Sequence, residues 1–220
     1  MTVPGIATAA DYSEAIGVAR RGKSVIVLLL LLALAAQIAL FFLVRQDVIK
    51  LDGLDPADEA ARGRRNLVDV MHYVTGLTLL GGIALGVVLS MILCLIAHIM
   101  LVGRLIGVGK VTGALIWSFV LVLFLFPWQT FMNNTDMTYV EWRIPGVFWT
   151  WSELLAKYKF NGAFTGENWS YALTGWFRFV GAPVVAMVVL LMIQLKSNRG
   201  IRMAMGEDEV LNRVMAGEAV

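Results

Sequence analysis

Two histidines are the residues of this chain best suited to hold a redox cofactor, because imidazole nitrogens ligate haem iron. His72 and His98 lie 26 residues apart within one apolar run. If that run is a single helix, the separation is about 39 Å along its axis, so the two imidazoles cannot ligate one haem together. We therefore predict that each histidine forms hydrogen bonds near a membrane surface and that the chain holds no cofactor of its own. The alternative is one five-coordinate haem, or a haem or quinone site shared with another subunit.

Known catalytic and metal-binding patterns are missing from the sequence, which contains no GxSxG, P-loop or HExxH motif. Ser90 and His98 are separated by about 12 Å in a helix, which is too far for a hydrogen bond. Asp55 and Glu59 have the i, i+4 spacing that could suit a divalent cation, but neither His nor Cys is close to them, and a solvated helix face is expected. Cys94 is the only cysteine, which excludes disulfides and CxxC pairs within the chain. We predict that the chain is not an enzyme and holds no metal.

The composition indicates a membrane protein. Of the 220 residues, 59% are hydrophobic and 15% are charged, whereas soluble domains have about 45–50% and about 25%. The net charge of +2 gives no reason to expect nucleic acid as a partner. The segment Ser24–Val44 contains no charge and is about 31 Å long as a helix, which matches the hydrocarbon core of a bilayer. It is too long for the apolar part of a signal peptide, and we interpret it as a retained span.

Four apolar segments predict an all-α integral membrane protein with four transmembrane helices in a bundle. We expect residues 1–23 to form a short amphipathic segment at the membrane surface and residues 196–220 to form a tail. The transmembrane domain covers residues 24–195 and contains spans at about 24–44, 74–98, 111–126 and 177–195. The nine residues Val102–Lys110 form the link between the second and third apolar segments, so these two spans should be antiparallel neighbours. Pro183 should kink the fourth span unless it lies in the first turn, and Arg178 should extend towards the interface.

Small residues recur every four positions along the second span, at Gly82, Gly86, Ser90 and Cys94. Helices in lipid associate where small side chains let their backbones approach, so this stripe predicts a helix–helix contact with Cys94 buried in it. A groove for a flat cofactor is the alternative. Gln37 is the strongly polar side chain nearest a membrane midplane. We expect it to hydrogen-bond to another helix, and the alternative is that it lines a polar pathway.

The loop of residues 128–176 is rich in aromatic side chains. It contains six of the seven tryptophans, at Trp128, Trp142, Trp149, Trp151, Trp169 and Trp176. Indole rings favour the headgroup layer, so these residues, together with Tyr158, are predicted to contact the membrane interface or a partner. Thr150 and Glu153 have capping-box spacing at the start of a predicted interfacial helix over 151–160, in which Glu153 would pair with Lys157. An aromatic platform for an oligosaccharide is the alternative.

The distribution of charge predicts the orientation. The two termini and the short loop 101–110 carry nine Lys and Arg against six Asp and Glu, whereas the two other loops, together with Arg178 at the start of the fourth span, carry nine against ten. The positive-inside rule then places both termini in the cytoplasm, and we expect a bacterial inner membrane. The central thirds of the spans contain no Asp, Glu, Lys or Arg, which argues against proton- or sodium-coupled transport.

These observations favour a non-catalytic accessory or scaffold subunit of a multi-subunit membrane complex. Its expected partners are the lipid bilayer and other membrane protein subunits. One alternative is an electron-transfer membrane subunit with a shared haem or quinone site. The other is a channel or permease component in which Gln37 and the small-residue stripe line a path.

Overall fold

The computed structural model describes residues 9–46, 59–128, 146–154, 173 and 175–207. Four long helices make up most of this part of the chain, and it contains no strand. They are α1 (Ala9–Arg45), α2 (Glu59–Val102), α3 (Val108–Leu125) and α4, which begins with a π-helical turn (Phe177–Gly181) and continues as an α-helix (Ala182–Ala204). All four are long and apolar enough to cross a membrane. The predicted all-α, four-helix membrane bundle is confirmed, and the chain is a multi-pass membrane protein.

The helices extend beyond the predicted spans. Helix α1 begins at Ala9 and runs without a break through Arg45, so the part of the predicted N-terminal segment that the structure describes is the start of the first span's own helix. Arg and Lys are good helix formers, and Gly22 costs only about 1 kcal/mol in a helix interior. One such residue does not end a 37-residue helix. At the other end of the chain, α4 continues nine residues beyond the predicted end of the fourth span.

The chain divides into two compact units, and the first consists of Met1–Leu29, Leu85–Leu121 and Val189–Val220. Its buried apolar cluster joins all four helices through Ile16, Ile96, Met100, Val111 and Ile201. Two polar contacts also join α1 to the C-terminal part of α4. The Arg20 guanidinium lies 2.8 Å from the Glu207 carboxylate, and the Lys23 ammonium is buried against α4.

A glycine contact in the first unit brings α3 and α4 together. Gly107 has φ +96°, a conformation that favours glycine, and it ends the turn between α2 and α3. A Cβ atom on Gly200 of α4 would lie 2.8 Å from Val111 Cγ2 and 3.0 Å from the Gly107 carbonyl oxygen. Gly200 therefore has no room for a side chain without movement of its neighbours.

The second unit consists of Leu30–Ala84 and Val122–Val188. Its core joins the C-terminal part of α1 to the segment 146–154 and to the start of α4. The buried members are Leu40, Phe41, Val44, Trp149, Trp151, Leu154 and Phe179. Phe41 and Phe179 stack with ring centroids 5.2 Å apart, and Trp149 meets Phe179 edge to face at 5.5 Å. Large aromatic side chains thus supply most of the buried apolar surface here.

The π-helical turn at the start of α4 explains how the helix accommodates Pro183. Proline has no N–H to donate, and its ring clashes with the carbonyl four residues earlier. The residue before it, Ala182, donates its N–H to the Phe177 carbonyl across the wider π turn. Pro183 therefore lies in the second turn of α4, directly after the π-helical turn, and not in the first turn of the helix.

Candidate functional site

The candidate site is the group of buried polar side chains in the second unit. Gln37 is fully buried, and its amide faces both α2 and the segment 146–154. Its Nε2 donates to Thr78 Oγ1 at 3.4 Å and to the Trp149 carbonyl at 3.5 Å. Its Oε1 accepts from the Trp149 N–H at 3.4 Å. These bonds are long, but together they occupy both ends of the amide. Gln37 therefore binds the backbone N–H and carbonyl of Trp149, a residue that lies outside any helix.

Arg178 holds the same segment from the other side. Its guanidinium is buried, with a side-chain exposure of 4%, and it forms a two-point ion pair with Glu153 at 2.9 and 3.0 Å. Its remaining N–H groups donate to three consecutive carbonyls, those of Gly146, Val147 and Phe148. All five donors of the guanidinium are therefore used. The expectation that Arg178 extends to the interface is wrong, because these contacts keep it inside the second unit.

The segment 146–154 begins a helical turn at Trp151, as the capping spacing predicts. Thr150 Oγ1 accepts from the Glu153 N–H at 3.3 Å, and the Thr150 carbonyl accepts from the Leu154 N–H. The Glu153 carboxylate pairs with Arg178. Residues 155–160 of the predicted interfacial helix, including Lys157 and Tyr158, lie outside the described residues. Trp142 and Trp169 lie outside them too.

The four described tryptophans of this loop differ in burial. Trp149 and Trp151 are 0% and 4% exposed, so their rings belong to the core of the second unit and are not free to contact lipid or a partner. This corrects the prediction, and the cause is the anchoring of their segment by Gln37 and Arg178. Trp128 and Trp176 are half-buried. The Trp128 Nε1 donates to the Leu123 carbonyl at 2.7 Å, and the Arg45 guanidinium lies 4.5 Å from the Trp176 ring centroid.

The small-residue stripe of α2 is divided between the units. Gly82 is buried in the second unit against the Phe148 ring, which occupies the position that a side chain would need. Gly86 and Ser90 are buried in the first unit, and Ser90 Oγ donates to the Gly86 carbonyl at 3.1 Å. Cys94 is exposed, which contradicts its predicted burial. Each four-residue step turns the helix by about 40° beyond one full turn, so Cys94 lies about 120° around the helix from Gly82.

The two histidines lie on α2 with exposed side chains, His72 in the second unit and His98 in the first. The described residues contain no group of three or more His, Cys, Asp or Glu side chains that could hold a metal ion. Neither histidine belongs to the group of buried polar side chains.

The sequence analysis did not predict that Lys23 is buried. Its Nζ donates to Ser197 Oγ at 2.7 Å and to Asn198 Oδ1 at 2.6 Å, and its side chain is fully buried in the first unit. A signal for this contact exists in the spacing of Gln194, Ser197 and Asn198, which places three polar side chains on one face of α4. Gln194 Nε2 also donates to Ser24 Oγ on α1, at 3.3 Å.

Comparisons of the chain with protein-family models, with curated proteins and with solved structures find no match.

Proposed function

We propose that this chain is a non-catalytic accessory or scaffold subunit of a multi-subunit membrane complex. The observation that supports the proposal is that the buried polar side chains form hydrogen bonds within the chain itself. Gln37, Arg178 and Lys23 are the groups that a transport path or a reaction centre would need, yet each is bonded to another part of the same chain. Their hydrogen bonds hold helices and the segment 146–154 in place, which is a structural role.

The outward faces of the helices support a role in assembly. Large apolar side chains are exposed along the C-terminal half of α3, at Ile116, Trp117, Phe119, Val120 and Leu123. In a membrane these side chains contact lipid or another subunit. The exposed rings of Trp117 and Phe119 lie about 200° apart around the helix, and each offers a large contact area to a neighbouring helix.

Purification from native membranes in a mild detergent tests the proposal directly. We expect the chain to leave the membrane with stoichiometric partner proteins. A photo-activatable residue at Phe119 on α3 should crosslink to a partner, and the same residue at Leu77 on α2 provides a matched exposed position for comparison. A chain that purifies alone, with no protein crosslink from either position, would refute the scaffold function.

A second candidate is an electron-transfer membrane subunit that shares a haem with another subunit. The exposure of His72 and His98 favours it, because an outward imidazole is available to iron held by a neighbour. The absorption spectrum of the purified complex separates the two functions. A Soret band that His98→Ala or His72→Ala abolishes would establish the shared haem, whereas a complex without the band would leave the scaffold function.

We further propose that the membrane is a bacterial inner membrane and that both termini are cytoplasmic, because the two termini and the loop 101–110 carry nine Lys and Arg against only six Asp and Glu. Reporter fusions at the C-terminus test this orientation. Alkaline phosphatase should be inactive there and a fluorescent protein should be bright, and the opposite pattern would reverse the topology.

A further inference from the structure

The described residues of the first unit carry more positive than negative charge at their exposed surface. They include eight Lys and Arg but only three Asp and Glu. One of the three, Glu207, is paired with Arg20, and one cation, Lys23, is buried. Five cations are exposed, and no carboxylate of the described residues forms an ion pair with them. They are Arg21 of α1, Arg104 of the turn between α2 and α3, Lys110 in the first turn of α3, and Arg199 and Arg202 of α4.

Backbone contacts bring the turn between α2 and α3 close to α4. A Cβ atom on Gly200 would lie 3.1 Å from Lys110 Cβ, so Lys110 neighbours the stretch of α4 that carries Arg199 and Arg202. Met100, Val111 and Ile201 share one buried cluster with Ile16 of α1. The helices that carry the exposed cations thus pack on one common buried cluster.

Helix length fixes the depth of this turn in the membrane. Helix α3 has 18 residues and is about 27 Å long, whereas a hydrocarbon core is about 30 Å thick. Both ends of α3 must therefore lie at or just inside the headgroup boundary. The turn that precedes Val108 then lies among the headgroups and not in the bulk aqueous phase.

The side chains of the turn match that position. Leu101 and Val102 at the end of α2 and Ile106 in the turn are 64%, 58% and 74% exposed, and a group of exposed apolar side chains marks a surface that contacts a membrane or a partner. Arg104 lies between them with φ +50°, a conformation in which a residue with a side chain is uncommon. A glycine would meet the backbone requirement, so the guanidinium itself is the plausible reason for arginine here. Apolar groups that point to acyl chains beside cations at phosphate depth are the pattern of a surface that binds lipid.

We infer that the turn between α2 and α3, the first turn of α3 and the adjoining end of α4 bind the phosphate groups of anionic phospholipids through Arg104, Lys110 and Arg199 respectively. The bilayer is the occupant because an acidic protein would satisfy the cations but leave the apolar side chains between them in water. This inference depends on the membrane location of the chain but not on its role as a scaffold.

Native mass spectrometry of the full chain in mixed micelles tests the inference with phosphatidylglycerol and phosphatidylcholine as probes. The wild-type chain should bind the anionic lipid more tightly. Each cation near a charged lipid surface contributes about a fivefold change in affinity at low salt. The triple variant Arg104→Gln, Lys110→Gln, Arg199→Gln should therefore lose up to about 100-fold for phosphatidylglycerol and little for phosphatidylcholine.

Two control variants locate the effect. The charge-preserving triple variant Arg104→Lys, Lys110→Arg, Arg199→Lys should retain the preference. The second control is the triple variant Arg62→Gln, Arg64→Gln, Arg65→Gln. It removes the same charge from the part of α2 that belongs to the second unit and should retain most of the preference for phosphatidylglycerol. Equal binding of the two lipids by the wild-type chain would overturn the inference. Equal losses in the two glutamine variants would overturn it too, because net charge and not this surface would then be responsible.

Discussion

Replacement of Arg178 by methionine should destabilise the second unit more than any other single polar substitution in the described residues. The change removes five N–H donors and leaves the Glu153 carboxylate and the carbonyls of Gly146, Val147 and Phe148 without their partner. Removal of one member of a buried ion pair costs about 3–5 kcal/mol. The carboxylate is 15% exposed, so partial solvation lowers the cost, whereas the three carbonyls raise it. We therefore expect a loss of about 3–5 kcal/mol in the free energy of unfolding.

Thermal unfolding in detergent measures this loss. For a chain of this size, 1 kcal/mol corresponds to roughly 2–4 °C, so Arg178→Met should lower the midpoint by roughly 6–20 °C. Limited proteolysis should also cut the segment 146–154 sooner, because the guanidinium no longer holds it. Arg199→Met is the matched control, since this arginine lies on the same helix with an exposed side chain, and it should change stability by less than about 0.5 kcal/mol.

A double variant separates the charge from the packing. Adding Glu153→Gln to Arg178→Met removes the carboxylate charge that the guanidinium neutralises in the wild-type chain, so part of the lost stability should return. If Arg178→Met unfolds within about 0.5 kcal/mol of the wild-type chain, the anchoring role of Arg178 is wrong. A double variant no more stable than Arg178→Met would show that the ion pair with Glu153 contributes nothing.

Three further substitutions test the other close contacts. Gln37→Leu leaves the buried N–H and carbonyl of Trp149 without a side-chain partner and should cost about 1–3 kcal/mol, measured by the same melt; an unchanged midpoint would show that these long bonds are unimportant. Gly200→Ala should cost about 1–3 kcal/mol of stability, because the new methyl group clashes with Val111 and the Gly107 carbonyl. Gly109 faces open space, so Gly109→Ala should instead stabilise α3 by up to about 1 kcal/mol. Equal unfolding midpoints for the two variants would contradict this expectation. Lys23→Met keeps the length of the side chain but leaves the Asn198 oxygen without its donor, and it should cost about 1–3 kcal/mol of stability. A variant more stable than the wild-type chain would contradict this and would show that the buried ammonium destabilises the fold.

The number and order of the helices could be predicted from the sequence because each span is a long apolar run with few charges. The extent of the helices could not. The apolar segments do not show that α1 begins at Ala9. The cations and Gly22 mark the membrane border, but a helix can continue on both sides of that border. Hydropathy indicates where the solvent changes, whereas helix ends depend on local hydrogen bonding.

The site was only partly predictable for a similar reason. The polar character and central position of Gln37 predict a hydrogen bond, but not that its partner is the backbone of Trp149. Tryptophans in a loop next to a membrane generally suggest an interface, and the same rings can equally fill a core. Their burial depends on Arg178, whose partners lie 25–32 residues away in the sequence, and no local pattern encodes such a distance.

The length of α2 has a mechanical consequence for anything that attaches to the chain. Its 44 residues form one continuous helix of about 66 Å, and even a tilt of about 40° leaves a vertical rise of about 50 Å, well beyond the oily layer. The part of α2 that extends beyond the hydrocarbon core is a rigid helix and not a flexible linker. A partner that binds the end of α2 outside the membrane is therefore held at a fixed height and a fixed orientation around the helix axis. Insertion of a single residue into α2 would rotate that partner by about 100° around the axis.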